Sequence, residues 1–259
     1  METKNDRATW LKGGDARCSL PPVFQTQPHR LLLLGAPGVG KGTQAELLCR
    51  HFCACHLSTG DVFRAAKNCG NAEQSPAMIA ALEGMKRGEL VSDQTVLDLI
   101  MERSQCLHCI GGFLLDGFPR TVAQAKALEK MLAAQNVQLD AVLDYRLPLE
   151  KIIARLSGRR TCPDCKAVFH IEALPPKTPG LCDHCGSALY QRDDDRPESI
   201  RVRMAAYAKN AEPLKRFYRR RQLLVPVAAA GTPEETFART LEALKNFTPH
   251  RHEPELLRG

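Results

Sequence analysis

Between Arg30 and Phe247 the chain alternates short unbroken apolar runs with longer stretches in which apolar residues return every three or four positions. An apolar run without polar alternation is what a strand covered on both faces requires. Leu31 to Leu34 is such a run and stops at Gly35. Phe113 to Leu115 is a second, closed by Asp116, and Ala141 to Leu143 opens a third that ends near Tyr145. Helical spacing fills the intervals, over Lys41 to His51 and again where Val122, Ala125, Leu128 and Leu132 share one face after Arg120. Residues 222–231 give a weaker strand signal. Pro226 interrupts it and cannot donate to a ladder, which places that strand at an edge or a bend. Arg219, Arg220 and Arg221 read as the charged end of a helix, where cations suit the helix dipole. Strands alternating with helices predict an α/β fold built on a parallel sheet.

One segment breaks the rhythm. Residues 159–192 have no helical period and hold four cysteines among prolines and glycines, so they read as an inserted module, with the amphipathic pattern resuming near Pro197. Cys162-Pro163-Asp164-Cys165 and Cys182-Asp183-His184-Cys185 are two tight C-x-x-C turns, a spacing that closes on one tetrahedral Zn²⁺. Four sulfurs leave the ion no open position, so it is expected to be structural, one per chain, holding together a segment too small for its own core. Gly186 follows the second pair, whereas Lys166 stands where a glycine is usual after the first, which predicts a looser first turn. His170 and His184 are the substitute ligands in reach. Cys106 and Cys109 have metal-like spacing without a second pair and are read as incidental; Cys49, Cys53 and Cys55, near His51 and His56, are read as small core residues.

Composition narrows the function without naming it. The 259 residues are 44% hydrophobic and 25% charged, ordinary for a folded protein. No apolar run reaches the roughly 18 residues a membrane span needs. A net charge of +7 suits anionic ligands, but the cysteine module lacks the interleaved aromatics and basic stripe of a nucleic-acid surface. Eleven cysteines, an odd number, without a secretory leader point to reduced thiols and to the cytoplasm. Residues 1–29 are expected to form a flexible extension, 30–247 the folded domain, and 248–259 a frayed tail.

The strongest chemical signal is Gly35-Ala36-Pro37-Gly38-Val39-Gly40-Lys41-Gly42-Thr43, directly after the first strand. Glycines let successive N–H groups turn toward a polyphosphate, the following helix adds its N-terminal dipole, and Lys41 supplies a point charge. Gly42 separates Lys41 from Thr43, so a direct metal bond from Thr43 is not assigned. Leu57-Ser58-Thr59-Gly60-Asp61 with Arg64, Gly88-Glu89-Leu90-Val91, Asp116-Gly117-Phe118-Pro119-Arg120 with Gln124, Gly158-Arg159-Arg160 and Arg192-Asp193-Asp194 follow in order. Together with the loop, over about 30–244, this chain resembles the nucleoside monophosphate kinases, and adenylate kinases of the long zinc-lid type in particular.

The resemblance implies a P-loop, doubly wound, five-stranded parallel sheet flanked by helices, with a helical AMP-binding segment over 58–91 and a zinc lid over 159–195. It implies reversible transfer from ATP to AMP giving two ADP, with Mg²⁺ beside ATP, in a monomer. Gly38, Val39, Gly40, Lys41, Gly42 and Thr43 would cradle ATP. Arg155 and Arg159 would add cationic contacts to it, Val168 and Phe169 would flank its base, and the Pro233 carbonyl would meet that base. Thr59, Arg64, Glu89, Leu90, Val91, Gly117, Phe118, Pro119, Arg120 and Gln124 would hold AMP, with Arg192 and Arg203 swinging in from the lid. Lys41, Asp116, Arg120, Arg159, Arg192 and Arg203 would carry the transfer, Asp116 by orienting the water shell of Mg²⁺. Asp61 is a weaker candidate for that network. The alternative is a relative using GTP as donor or another monophosphate as acceptor; a kinase scaffold that only binds partners is disfavoured because Lys41, Asp116 and the arginines are all present.

Overall fold

In a computed structural model of the chain, residues 10–11, 28–67, 78–79, 92–165, 167–192 and 195–247 are described, the side chains of 64–67 excepted. Five parallel strands form the frame: β1 His29–Gly35, β2 Cys55–Ser58, β3 Gly112–Asp116, β4 Ala141–Arg146 and, numbered after two short lid strands, β7 Leu224–Ala228. Their order is β2-β3-β1-β4-β7, so the chain winds out to one side and then to the other, the doubly wound topology expected. The leucine run of β1 is buried on both faces. Leu32 and Leu34 enter one core with Phe113, Leu115 and Val142, while Leu31 and Leu33 enter the opposite core with Leu114, Leu143 and Tyr145.

Helices cover both faces. In order they are α1 Lys41–Phe52, α2 Thr59–Lys67, α3 Asp93–Met101, α4 Val122–Ala134, α5 Leu149–Ser157, α6 Pro197–Arg220 and α7 Pro233–Lys245. Their ends follow local chemistry. Thr121 caps α4 by accepting from the Gln124 N–H. Thr232 and Glu235 form a reciprocal capping box on α7, with Pro233 in its first turn. Pro226 is exposed on β7, the edge strand, where its missing N–H breaks no ladder bond. The basic end of α6 is as expected, and Arg221 just beyond it binds Glu129 of α4 through two hydrogen bonds of 2.5 and 2.9 Å. Between α5 and α6, β5 Arg159–Thr161 and β6 Val168–His170 pair antiparallel as the root of the cysteine module.

Two expectations change, for Cys53 and for Trp10. Cys53 is not a core residue: it ends α1 in a left-handed conformation and is exposed, whereas Cys55 is buried and Cys49 partly so. Cys106 is buried in the core, and Cys109, half-buried, lies with its Sγ 2.8 Å from that of Cys55. Trp10 is not part of a flexible arm: it is 1% exposed, and its indole N–H donates to the Ser58 carbonyl at 3.0 Å. The tail over 248–259, Glu89, Leu90, Val91 and Lys166 lie outside the described residues.

Candidate functional site

The C-terminal ends of the parallel strands all open on one edge of the sheet, where β1 runs into the glycine loop, β2 into Thr59 and β3 ends at Asp116. The loop from β1 to α1 depends on glycine at particular places. Gly38 has φ +82° and a Cβ there would lie 2.5 Å from Leu156; Gly35 has φ +140° and would meet the Tyr145 carbonyl at 2.7 Å. Gly42, by contrast, faces open space, and Thr43 is exposed at the helix start. Lys41 donates to the carbonyls of Gly35 and Ala36 at 2.8 and 3.0 Å, which holds its ammonium inside the curve of the loop. Burial, helped by the charges of Arg120, Arg203 and Arg159 and opposed by Asp116, lowers its pKa to about 8.

Asp116 closes β3 beside this lysine. Burial works against its charge, but the neighbouring His56 ring and the charge of Lys41 outweigh that and hold its carboxyl below the usual range. His56 Nε2 lies 3.5 Å from the carboxylate, a contact from β2 that the sequence pattern did not announce. Thr59, buried at the start of α2, directs its hydroxyl to the Asp116 carbonyl at 3.5 Å.

The arginines are held by an acid absent from the sequence expectations. Asp195, 1% exposed, accepts from Arg159 Nε at 2.7 Å and Nη2 at 2.5 Å, and its carboxylate lies 3.7 Å from Arg203 of α6. One buried carboxylate thus sets the spacing of two guanidinium groups on different elements. Its signal was hidden in a run of three aspartates. Arg192 donates to the Thr161 hydroxyl of β5 at 3.0 Å. Arg120 is exposed and donates to the Gly117 carbonyl at 2.8 Å. Arg64 lies on α2, its side chain outside the described residues.

On the far side of the loop, Arg155 of α5 donates to the carbonyls of Val39, Ala229 and Gly231 at 3.0, 3.0 and 3.1 Å. Its guanidinium braces the phosphate loop against the β7–α7 turn. The Pro233 carbonyl accepts from Gln44 at 2.8 Å. Val168 is exposed, whereas Phe169 is buried against Cys162 and Cys182 in the lid's own small core.

At the other end, Phe118 and Pro119 are buried and joined by a cis peptide. Gln124 is 5% exposed, its Oε1 accepting the Arg120 N–H at 2.7 Å and its Nε2 donating to Asp93 at 2.6 Å.

In the module, the four sulfurs of Cys162, Cys165, Cys182 and Cys185 all lie within 4.8 Å of one another, with Cys162–Cys185 and Cys165–Cys182 at 3.4 Å. Tetrahedral bonds of about 2.3 Å place sulfurs about 3.8 Å apart, so the set fits one metal ion. Among the described residues no other group of three or more metal-binding side chains comes together. His170 is not a substitute ligand: its Nδ1 accepts two backbone N–H groups and its Nε2 lies 3.2 Å from the Ala154 carbonyl.

A family model described as adenylate kinase matches residues 33–223. A protein named adenylate kinase from Carboxydothermus hydrogenoformans is 46% identical over 217 residues, covering 83% of this chain and 99% of the relative. One from Caldicellulosiruptor saccharolyticus is 46% identical over 215 residues, covering 83% and 98%. One from Streptomyces avermitilis is 43% identical over 217 residues, covering 83% and 97%.

Proposed function

The chain belongs to the adenylate kinase family and is an ATP:AMP phosphotransferase, and we propose that the transfer runs on Lys41, Asp116, Arg120, Arg159, Arg192 and Arg203. The observation that carries this reading is geometric: Lys41 is held on the carbonyls of Gly35 and Ala36 inside the loop, Asp116 closes the adjacent strand β3, and Asp195 holds Arg159 and Arg203. Phosphoryl transfer between two nucleotides is mostly a matter of bringing anions together in line and stabilising the charge that spreads over the moving group. The acceptor oxygen is already ionised, so no general base is needed. Lys41 and the loop N–H groups from Gly38 to Thr43 hold the donor phosphates. Arg64 and Arg120 hold the acceptor phosphate, and Arg159, Arg192 and Arg203 bridge toward the group in transit.

Asp116, kept ionised at the end of β3, suits the water shell of Mg²⁺, with Asp61 nearby in the first turn of α2. When bound, Mg²⁺ would supply positive charge that neutralises the donor phosphates, with Asp116 and Asp61 placed to hold its water shell. Arg155 and Val168 face the ATP base, with Thr59, Glu89, Leu90, Val91, Gly117 and Gln124 on the AMP side. Zn²⁺ is the metal the four thiolates suit, in a structural role, because no ligand position remains open. A cytoplasmic monomer is the setting proposed; among the described residues no helix is long and apolar enough to cross a membrane.

A coupled assay over a panel of donors and acceptors, run beside metal analysis of the purified protein, tests the reading. ATP with AMP should be preferred and one zinc per chain recovered; failure to phosphorylate AMP would overturn the activity.

A further inference from the structure

Gln124 is the side chain placed to meet the base of the monophosphate, and its two ends are already committed. On one side the backbone N–H of Arg120 donates to Oε1 at 2.7 Å; on the other, Nε2 donates to Asp93 Oδ1 at 2.6 Å. Asp93 stands in the first turn of α3, directly after the AMP-binding segment, and its second oxygen accepts from the Thr121 hydroxyl at 3.0 Å. Thr121 is itself the cap of α4. Asp93 therefore bridges α3 to the start of α4 and grips the carboxamide on the way.

We propose that Asp93 is a specificity-positioning residue that locks the Gln124 carboxamide in one orientation and so selects a 6-amino purine over a 6-oxo purine as the acceptor base. The inference rests on the AMP reading of this site. A primary amide has two lone pairs and two N–H groups, and its two ends are nearly the same shape. Arg120 N–H takes one oxygen lone pair and Asp93 one N–H, so one lone pair and one N–H remain to meet a base.

That remaining pair complements adenine, whose 6-amino group donates beside the N1 acceptor. Hypoxanthine and guanine present the reverse, an O6 acceptor beside an N1–H donor. To serve them the amide must turn over by 180°. Turned over, its oxygen would face the Asp93 carboxylate and its NH₂ the Arg120 N–H, two buried like-with-like contacts. Burial raises the cost of each, because Gln124 is 5% exposed and water cannot replace the lost bonds. The Arg120 N–H is backbone and cannot be altered by substitution, so Asp93 is the half of the lock that mutation can open.

The test is a comparison of kcat/KM for AMP and IMP, with ATP as donor, in the full chain. The wild type should favour AMP by at least about a hundredfold, as buried donor and acceptor matching allows. Equal use of AMP and IMP would overturn this inference and leave the kinase reading standing, whereas no use of AMP would overturn the kinase reading itself.

In Asp93→Asn the new amide can donate to a turned-over Gln124, so the AMP:IMP ratio should fall about tenfold or more. Asp93→Glu keeps an acceptor-only group and should restore the wild-type ratio. If Asp93→Asn does not fold, Asp93→Ser asks the same question with a hydroxyl that can donate or accept. Ser92→Ala weakens the α3 cap without touching the carboxamide and should leave the ratio unchanged. AMP and IMP falling together in the Asp93 variants, or the ratio falling equally in Ser92→Ala, would overturn the assignment and leave Asp93 as a structural link only.

Discussion

Lys41 and Asp195 show how single charged residues can be built into a site by quite different means. The ammonium of Lys41 is held on the carbonyls of its own loop, and burial lowers its pKa to about 8. A lowered pKa means that the charge is complete well below pH 8 and is lost as the pH rises through it. The value of kcat/KM for ATP, which reports the free enzyme, should therefore decline above about pH 8. The value of kcat at saturating ATP should decline later, because bound phosphate favours the charged lysine. A pH profile of kcat/KM that stays flat a unit beyond pH 8 would contradict this. Lys41→Met should cut turnover on the order of a thousandfold while leaving the thermal transition in place. Asp195 acts instead by spacing Arg159 and Arg203. Asp195→Asn removes the charge that fixes both guanidinium groups and should lower kcat on the order of a hundredfold, with a smaller change in KM. Steady-state kinetics of the variant, with a melting curve to check folding, would separate misplacement from unfolding.

Among the elements, those written as continuous local patterns were legible in the sequence. The leucines of β1 and the loop behind them, the apolar face of α4, and the two cysteine turns are all read within a dozen residues. Elements defined by distant partners were not. β2 is only Cys55–Ser58, a mixed Cys-His-Leu-Ser tetrad, and it becomes a strand because β3 pairs with it in parallel and buries all four residues. Asp93 and Asp195 read locally as helix-start and charge-run residues; only the folded chain shows that one grips Gln124 and the other two arginines. The lid contrasts with the sheet in its need for an ion. Its core is Cys162, Phe169 and Cys182, with Cys165, Ala167 and Leu189 around them, too little apolar surface to hold a fold unaided. Chelation of the metal should therefore unfold the lid and leave the sheet intact. Hydrogen exchange should rise over 159–192 alone and phosphotransfer should fall, with readdition of Zn²⁺ restoring both. Unchanged protection over 159–192 after metal removal would show that the lid stands without it.

Across the whole molecule, the relatives match along almost their full length yet cover 83% of this chain, so part of it is sequence they do not share. Trp10 lies ahead of the family match, which begins at residue 33, and is nevertheless buried in the main core with Leu57, Leu99 and Leu107. Its indole donates to the Ser58 carbonyl, the last residue before α2. Its own carbonyl accepts from Arg103 at 2.8 Å, and Arg103, 2% exposed, also donates to Leu99 of α3 at 3.0 Å. One tryptophan thereby ties the end of β2 to Arg103 and α3. Trp10→Ala empties a large buried site and strips the bond from Ser58, a change expected to cost roughly 3–5 kcal/mol. The melting temperature should fall by roughly 10 °C, followed by circular dichroism because Trp10 is the one tryptophan in the chain. Loosening the junction of β2 and α2, on the side proposed for AMP, and not the loop proposed for ATP, should raise KM for AMP while KM for ATP stays constant. In the wild type the same tryptophan makes the measurement self-checking. Its emission should be that of a buried indole and should shift on addition of AMP. A solvent-exposed emission spectrum, or a Trp10→Ala variant with unchanged melting and unchanged KM for AMP, would show that the N-terminal segment does not brace the AMP side of the site.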